Sequence, residues 1–326
     1  MDLRSVAGAV APVGARTQWE IGGPPPSAAA EVRAPDGITV WEPDDLTVTV
    51  GAGTAFADLA AELATRGQEV VLDPVDERAT VGGILACGCS GPRRLRLGPV
   101  RDQVLQVWLA LADGRTVRGG GPTVKNVTGY DLPRLVVGSL GTLGVIERVT
   151  LRCRPRPEAS QWFTGGRAAE SFRPASRLTD GGAETVLLEG RRVDLEAQAR
   201  DLGLVPVAGP PSIPRGSHRG RVSVDPGRLP ALLEVLPADV RFRAEPGIGT
   251  VLVASDDAAA VLAVRDSAAL LSGWMLREAG LPGDDGFGTA LPVASLAARI
   301  KAAFDPGNRM NPGRLPVAPP PPTVAS

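Results

Sequence analysis

Glycines recur between Thr80 and Gly144 at spacings that let bare backbone close around a ligand. The segments are Thr80-Val-Gly-Gly-Ile84, Val124-Lys-Asn-Val-Thr-Gly-Tyr-Asp-Leu132 and Gly138-Ser-Leu-Gly-Thr-Leu-Gly144. Glycine accepts positive φ and brings N–H groups to a ligand with no Cβ in the way. Successive N–H groups in such turns form anion-binding concavities. One such loop is weak evidence, but three in one stretch, separated by strand-like runs, point to an extended ligand with a diphosphate in its middle.

Other chemistry is scarce. The single histidine, His218, rules out a two-histidine zinc site and a His-Glu-x-x-His helix. It lies in Arg215-Gly-Ser-His-Arg-Gly220, which reads as a polar turn. Cys87-x-Cys89 has metal-ligand spacing but lacks a third and fourth ligand nearby, so small buried thiols are the plainer reading. Arg93, Arg94 and Arg101 are the candidate cations for a diphosphate or a carboxylate, because a guanidinium grips oxyanions bidentately. A solvated face or a subunit contact accounts equally well for Arg93 and Arg94. Asp131 has the right type to cap a helix or anchor a turn.

Composition narrows the class. Charged residues make up 22% of the 326 residues and hydrophobic ones 43%, the profile of an ordinary globular chain. Net charge is −1, without the cation clusters that nucleic acid demands. No apolar run reaches the roughly 20 residues of a membrane span. The first residues read poorly as a signal peptide. Three cysteines do not suit a secreted disulfide framework, so a reducing cytoplasm is expected.

The elements that must position the glycine segments can be read in part. Leu46 to Val50 alternates β-branched residues as a strand. Phe56 to Arg66 has helical spacing and stops at Gly67, and Glu69 to Leu72 reads as a second strand, which together suggest a βαβ unit. The dinucleotide fingerprint fails there, because Phe56 stands where its last glycine belongs, and no P-loop occurs. A nicotinamide dehydrogenase is therefore disfavoured. Gln103 to Leu111 and Arg115 to Arg118 read as a hairpin about Asp113-Gly114, and Val145 to Arg152 as a further strand. Beyond residue 156 short strands (184–188, 220–224, 250–254) alternate with helical pieces (193–202, 229–236, 258–271), as in a small α+β domain. A helix is expected over Leu291 to Phe304, and the proline-rich Pro316 to Ser326 reads as a disordered tail. No internal repeat is evident.

Ala79-Thr-Val-Gly-Gly83, Ser90-Gly-Pro-Arg-Arg94, Val100-Arg-Asp102, the segments at 124–132 and 138–144, Lys301-Ala-Ala-Phe-Asp-Pro306 and Met310-Asn-Pro-Gly-Arg314 together resemble a family. It is that of the FAD-binding subunit of bacterial glycolate oxidase, among the vanillyl-alcohol-oxidase-like flavoproteins. The resemblance covers roughly 37–155 and 296–315. It implies an α+β fold: a two-part PCMH-type FAD-binding domain with a smaller α+β cap domain. The implied boundaries are 1–155 for the FAD domain with a shortened first βα segment, 156–290 for the cap, 291–315 for a segment returning to the FAD domain, and 316–326 for the tail. It assigns FAD contacts to Thr80, Val81, Gly82, Gly83, Gly91, Asp102, Gly129, Tyr130, Gly138, Gly141, Thr142, Gly144, Ile146 and Asn311.

One segment departs from the family. Its members carry a first loop of the Gly-Gly-Gly-Thr-Lys type, whereas here Val13-Gly-Ala-Arg-Thr-Gln18 keeps one glycine and has Gln18 for the lysine. Losing charge-assisted hydrogen bonds of roughly 1.5–3 kcal/mol each weakens binding by orders of magnitude. No histidine stands in that loop to tether a flavin, so FAD is expected to be non-covalent. The function implied is an FAD-binding subunit of a 2-hydroxyacid oxidase or dehydrogenase, of glycolate or D-lactate type. Its implied partners are a larger FAD subunit and an iron–sulfur subunit, with any contact to the inner membrane made through them. The alternative is a scaffold subunit of the same complex with weak or lost FAD binding. No catalytic residue is assigned, since the FAD domain offers no histidine as base.

Overall fold

The computed structural model describes residues 3–23, 27–122, 130–281 and 293–314. They fall into two compact units: one of 1–89, 99–155 and 290–326, the other of 90–98 and 156–289.

The first unit begins with β1 (Val10–Pro12), which pairs in parallel with β2 (Ala30–Val32). Its main sheet is built from β3 (Ile38–Glu42) and β4 (Thr47–Gly51) onward. After β4 come α1 (Phe56–Ala64), β5 (Gln68–Glu69) and α2 (Val81–Cys87). The short α3 (Arg94–Leu97) belongs to the second unit. The chain returns with β6 (Val104–Ala110), β7 (Thr116–Gly120), α4 (Leu132–Val136), β8 (Val145–Arg152) and β9 (Arg154–Pro155). The sheet order is β3-β4-β8-β6-β7, and every pairing is antiparallel. Its core joins Val48, Val50, Val107, Val149 and Leu151 to Leu59 and Leu63 of α1 and Ile84 and Leu85 of α2.

The expected βαβ unit does not form. Both edges of β4 are taken, by β3 and β8, so the strand after α1 has no place beside it. Gln68–Glu69 instead pairs antiparallel with β9. Val70, Val71 and Leu72 are buried without joining a sheet, so the apolar run that reads as strand 69–72 is core without strand geometry.

The second unit continues with β10 (Ala159–Thr164), β11 (Ser176–Leu178), β12 (Thr185–Gly190), α5 (Arg192–Leu202) and β13 (Val205–Val207). There follow β14 (His218–Ser223), α6 (Leu229–Glu234), β15 (Arg241–Glu245), β16 (Thr250–Ser255), α7 (Ala258–Leu270) and β17 (Trp274–Ala279). The strand orders are β11-β12-β10-β13 and β15-β16-β14-β17. These are the same topology twice, each a strand, a helical turn, two strands, a helix and a strand, with the fourth strand beside the first. A bridge between Thr179 and Ala244 joins the two sheets edge to edge. The sequence reading missed this repeat because only Thr185-Val-Leu-Leu188 and Thr250-Val-Leu-Val253, each just ahead of a helix, echo one another. It also placed His218 in a turn, whereas His218 opens β14, half-buried, and its Nδ1 accepts the Leu281 N–H at 2.9 Å. In the first unit, α8 (Ala294–Phe304) closes the element list.

Within the second unit Glu245 is buried beside Arg243, and burial pushes its carboxyl up to about 7, the charges of Arg243, Arg221 and Arg94 opposing. The folded protein therefore holds a proton between the ordinary 4.5 and about 7 that the unfolded chain has released. Stability falls as pH rises through that window, by up to about 3 kcal/mol from this group. Urea unfolding at about pH 5 and about pH 8 should show the loss, and Glu245→Gln should flatten it. An unchanged slope in the variant would place the proton elsewhere.

Candidate functional site

Helix α2 shows how local sequence builds the site. Thr80 is its N-cap, and its Oγ1 accepts the Gly83 N–H at 3.2 Å. Gly88 ends it at φ 65°, where a Cβ would meet the Gly138 Cα at 2.9 Å. The Gly138–Gly144 turn takes over from there. The Gly138 N–H donates to the Leu85 carbonyl at 2.9 Å and the Leu140 N–H to the Ala86 carbonyl at 2.8 Å. The turn thus caps the carboxyl end of α2, and two of the glycine segments form one body.

The C-terminal segment locks onto this body. The Lys301 ammonium donates to the Thr142 carbonyl (2.7 Å), the Met310 carbonyl (2.9 Å) and the Asp305 carboxylate. Asp305 also accepts the N–H groups of Arg309 and Met310. Both side chains are buried; desolvation pulls the Lys301 pKa down and the Asp305 charge opposes it. Asn311 donates Nδ2 to the Leu140 carbonyl at 2.7 Å, and its N–H reaches the Val10 carbonyl at 2.8 Å. Arg314 donates to the carbonyls of Gly23 (3.0 Å), Ile21 (2.9 Å) and Trp19.

Two adjoining clefts lie between these parts. One, with about 440 Å³ of empty space, is bordered by Pro12 to Gly14, Ala52, Gly53, Thr80, Gly82, Gly83, Gly144 and Ile146. The other, about 500 Å³, is bordered by Gly14 to Trp19, Cys87, Leu140, Asn311 and Arg314. Thr80, Gly83, Ala86 and Gly141 border both. Of the residues assigned from sequence, Thr80, Gly82, Gly83, Gly141, Gly144, Ile146 and Asn311 come together here. Val81 is buried behind them, and Thr142 is buried with its Oγ1 on the Ser139 carbonyl. Gly138 sits at φ 80° with its N–H used by α2. Asp102 pairs with Arg134, Gly91 belongs to the second unit, and Tyr130 is 98% exposed. Gly129, with Lys125, lies outside the described residues. Asp131 caps α4 by accepting the Arg134 N–H. Arg93 is paired with buried Glu189 in the second unit.

The amides of the Thr-Val-Gly-Gly turn are not open to an anion. Val81 and Gly82 donate to the carbonyls of Thr54 and Ala52, and Gly83 to Thr80. Between Gly14 and Gln18, by contrast, no backbone N–H has an acceptor among the described residues. Arg16 within that loop stands at φ 59°, the turn conformation that points successive N–H groups one way. The loop that looks thinned in sequence is the one whose donors remain available. Its remaining glycine matters for fit: a Cβ on Gly14 would lie 2.2 Å from the Thr80 Oγ1. A Cβ on Gly83 would meet only that oxygen, at 3.1 Å, which leaves its open side toward the clefts. Asn311 Oδ1 is buried without a partner at the same place. Glycine cradle, unpaired donors, an orphaned acceptor and the cation Arg314 fit a dinucleotide such as FAD.

Residues 7–120 match the family model of an FAD binding domain. Over this stretch the chain is similar to FAD binding domains. Over 149 residues the chain is 40% identical to glycolate oxidase subunit GlcE of Escherichia coli (strain K12), covering 45% of this chain and 43% of that one. It is 39% identical over 137 residues to a D-lactate dehydrogenase of Archaeoglobus fulgidus, covering 41% and 31%. It is 36% identical over 119 residues to glycolate oxidase subunit GlcD of Bacillus subtilis (strain 168), covering 36% and 25%. The matches span less than half the length of these curated relatives. Among solved structures, alkyldihydroxyacetonephosphate synthase superposes with a TM-score of 0.68 at 14% identity, over 93% of this chain and 71% of that one, a likeness of fold alone. The sequence likeness is thus confined to part of the chain, while the likeness of fold extends over nearly all of it.

The Lys301 lock gives a stability test. Lys301→Met leaves Asp305 buried without its cation, a change that costs about 3–5 kcal/mol. Guanidinium unfolding followed by tryptophan fluorescence measures it; a loss below about 1 kcal/mol would mean the pair behaves like an exposed one.

Proposed function

We propose that this chain is the FAD-binding subunit of a 2-hydroxyacid oxidase or dehydrogenase of glycolate or D-lactate type, working with a larger FAD subunit and an iron–sulfur subunit. The observation that carries the reading is the glycine-walled double cleft with unpaired amides, inside the stretch that matches an FAD-binding domain. The names of its relatives supply the substrate class. When bound, FAD supplies the hydride and electron chemistry.

The residues divide the remaining work. The Gly14–Gln18 amides would hold the diphosphate, aided by the charge of Arg314, whose acceptors among the described residues are carbonyls. The α2 start shapes the wall through Gly82 and Gly83, and Asn311 and Gly141 would line the cofactor's path. No Asp, Glu or His borders either cleft among the described residues. Removing a hydroxyl proton needs a positioned base. An Asp, Glu or His base would therefore come from outside the cradle. No helix among the described residues is long and apolar enough to cross a membrane.

A second reading, a scaffold with weak FAD affinity, draws on two observations. The α2 amides are already used, and Arg16 is paired with Glu31. The visible spectrum of the purified chain decides between them. Yellow protein that releases its flavin on acid precipitation supports the first reading; a chain that stays colourless with added FAD supports the second.

Gly83→Val puts branched carbons on the open side of the wall. It should abolish flavin retention with circular dichroism unchanged. Full flavin occupancy in that variant would remove Gly83 from the cofactor wall.

A further inference from the structure

Cys87 is the last residue of α2 and borders the cleft of Trp19, Leu140, Asn311 and Arg314. It is half-buried, whereas Cys89 and Cys153 are buried. Burial pushes the Cys153 thiol up to about 12. The Cys89 thiol points at the Cys87 carbonyl, 3.6 Å away. Cys87 is thus the cysteine of the three that borders a cleft.

Its surroundings favour reaction. The three hydrogen-bond acceptors of Arg314 are carbonyl oxygens, and among the described residues no carboxylate pairs with it. Cys87 interacts electrostatically with that guanidinium. A cation beside a thiol favours the thiolate, the nucleophilic form. The other nearby guanidinium, Arg16, is committed to Glu31. A second feature marks the cleft as a ligand site: Asn311, 2% exposed, borders it with Oδ1 unpartnered.

We propose that Cys87 is a modification site that gates cofactor loading: in the empty cleft it exchanges with small disulfides such as oxidised glutathione, and the mixed disulfide excludes FAD. The proposal rests on the cleft being the FAD site. The Cys87 thiol gives its proton to water, and the thiolate attacks one sulfur of the disulfide. A Cys87–S–S bond forms, the original S–S bond breaks, and the departing thiolate takes up a proton. One disulfide is consumed and one formed, so no further oxidant is needed. A small thiol reverses the exchange. The anionic carboxylates of glutathione suit the Arg314 charge, and bound FAD occupies the space the adduct needs.

The experiment treats the full chain, empty and FAD-loaded, with oxidised glutathione, then reads intact mass, the modified peptide and flavin absorbance. The expected result is one adduct on Cys87 of the empty chain and loss of FAD uptake until dithiothreitol restores it. FAD at about 100 times its Kd leaves roughly 1% of the chain empty, so modification should slow about 100-fold. Cys87→Ser should take no adduct and hold the same flavin content before and after treatment. Modification at Cys89 or Cys153 instead, an equal rate with FAD bound, or an adduct that leaves FAD uptake unchanged would each overturn the proposal. An untreated chain that takes up no FAD would overturn the cofactor reading and this gate together, whereas a chain that takes up FAD but fails the exchange loses the gate alone.

Discussion

The buried ammonium of Lys301 is the interaction on which the glycine-walled clefts depend. Its three donors meet three acceptors: the Thr142 carbonyl, the Met310 carbonyl and the Asp305 carboxylate. A buried charge is tolerable only when it is paired and its hydrogen-bonding capacity is filled. Here the filling groups come from the glycine turn, from Asp305 at the end of α8 and from the C-terminal motif. The cost of leaving any of them unpaired forces those parts into one arrangement. Asn311 and Arg314 then extend the lock to Val10 and to the carbonyls at 19–23, and so to the two ends of the first loop.

That arrangement explains where the anion donors are. The start of α2 is consumed in building the wall: Thr80 caps it, and Val81 and Gly82 anchor it to Thr54 and Ala52. What faces the cleft is the glycine surface, not the amides. The donors come from the loop after β1, where Gly14 lies against Thr80 and Arg16 takes a left-handed conformation. A side chain at Gly14 would separate loop from helix.

The second unit shows a different economy of design. Two copies of one topology meet edge to edge through Thr179 and Ala244, which satisfies strand edges that would otherwise be exposed. Each copy buries its own core, around Val186, Leu188 and Leu195 in one and around Val222, Val251 and Val261 in the other. Only the positions that face those cores are constrained, and Val, Leu and Ala satisfy them interchangeably. That is why the duplication is plain in topology and nearly silent in sequence.

The sequence by itself determined the glycine positions, a helix from Phe56 ahead of the stop at Gly67, and the strands about the Asp113-Gly114 hairpin. These are local matters: positive φ, 3.6-residue or two-residue periodicity, and the presence or absence of a residue type. It also carried the motif that links residues 7–120 to an FAD-binding domain. Only the tertiary structure decided which groups meet. Strand edges are finite, so β3 and β8 displaced the expected parallel strand from β4. Hydrogen-bond partners are chosen in space, so the α2 amides turned inward while those of Gly14 to Gln18 stayed open. Lys301, in sequence only the start of a C-terminal motif, became the lock behind the clefts because packing buried it and the surrounding carbonyls had to answer its charge.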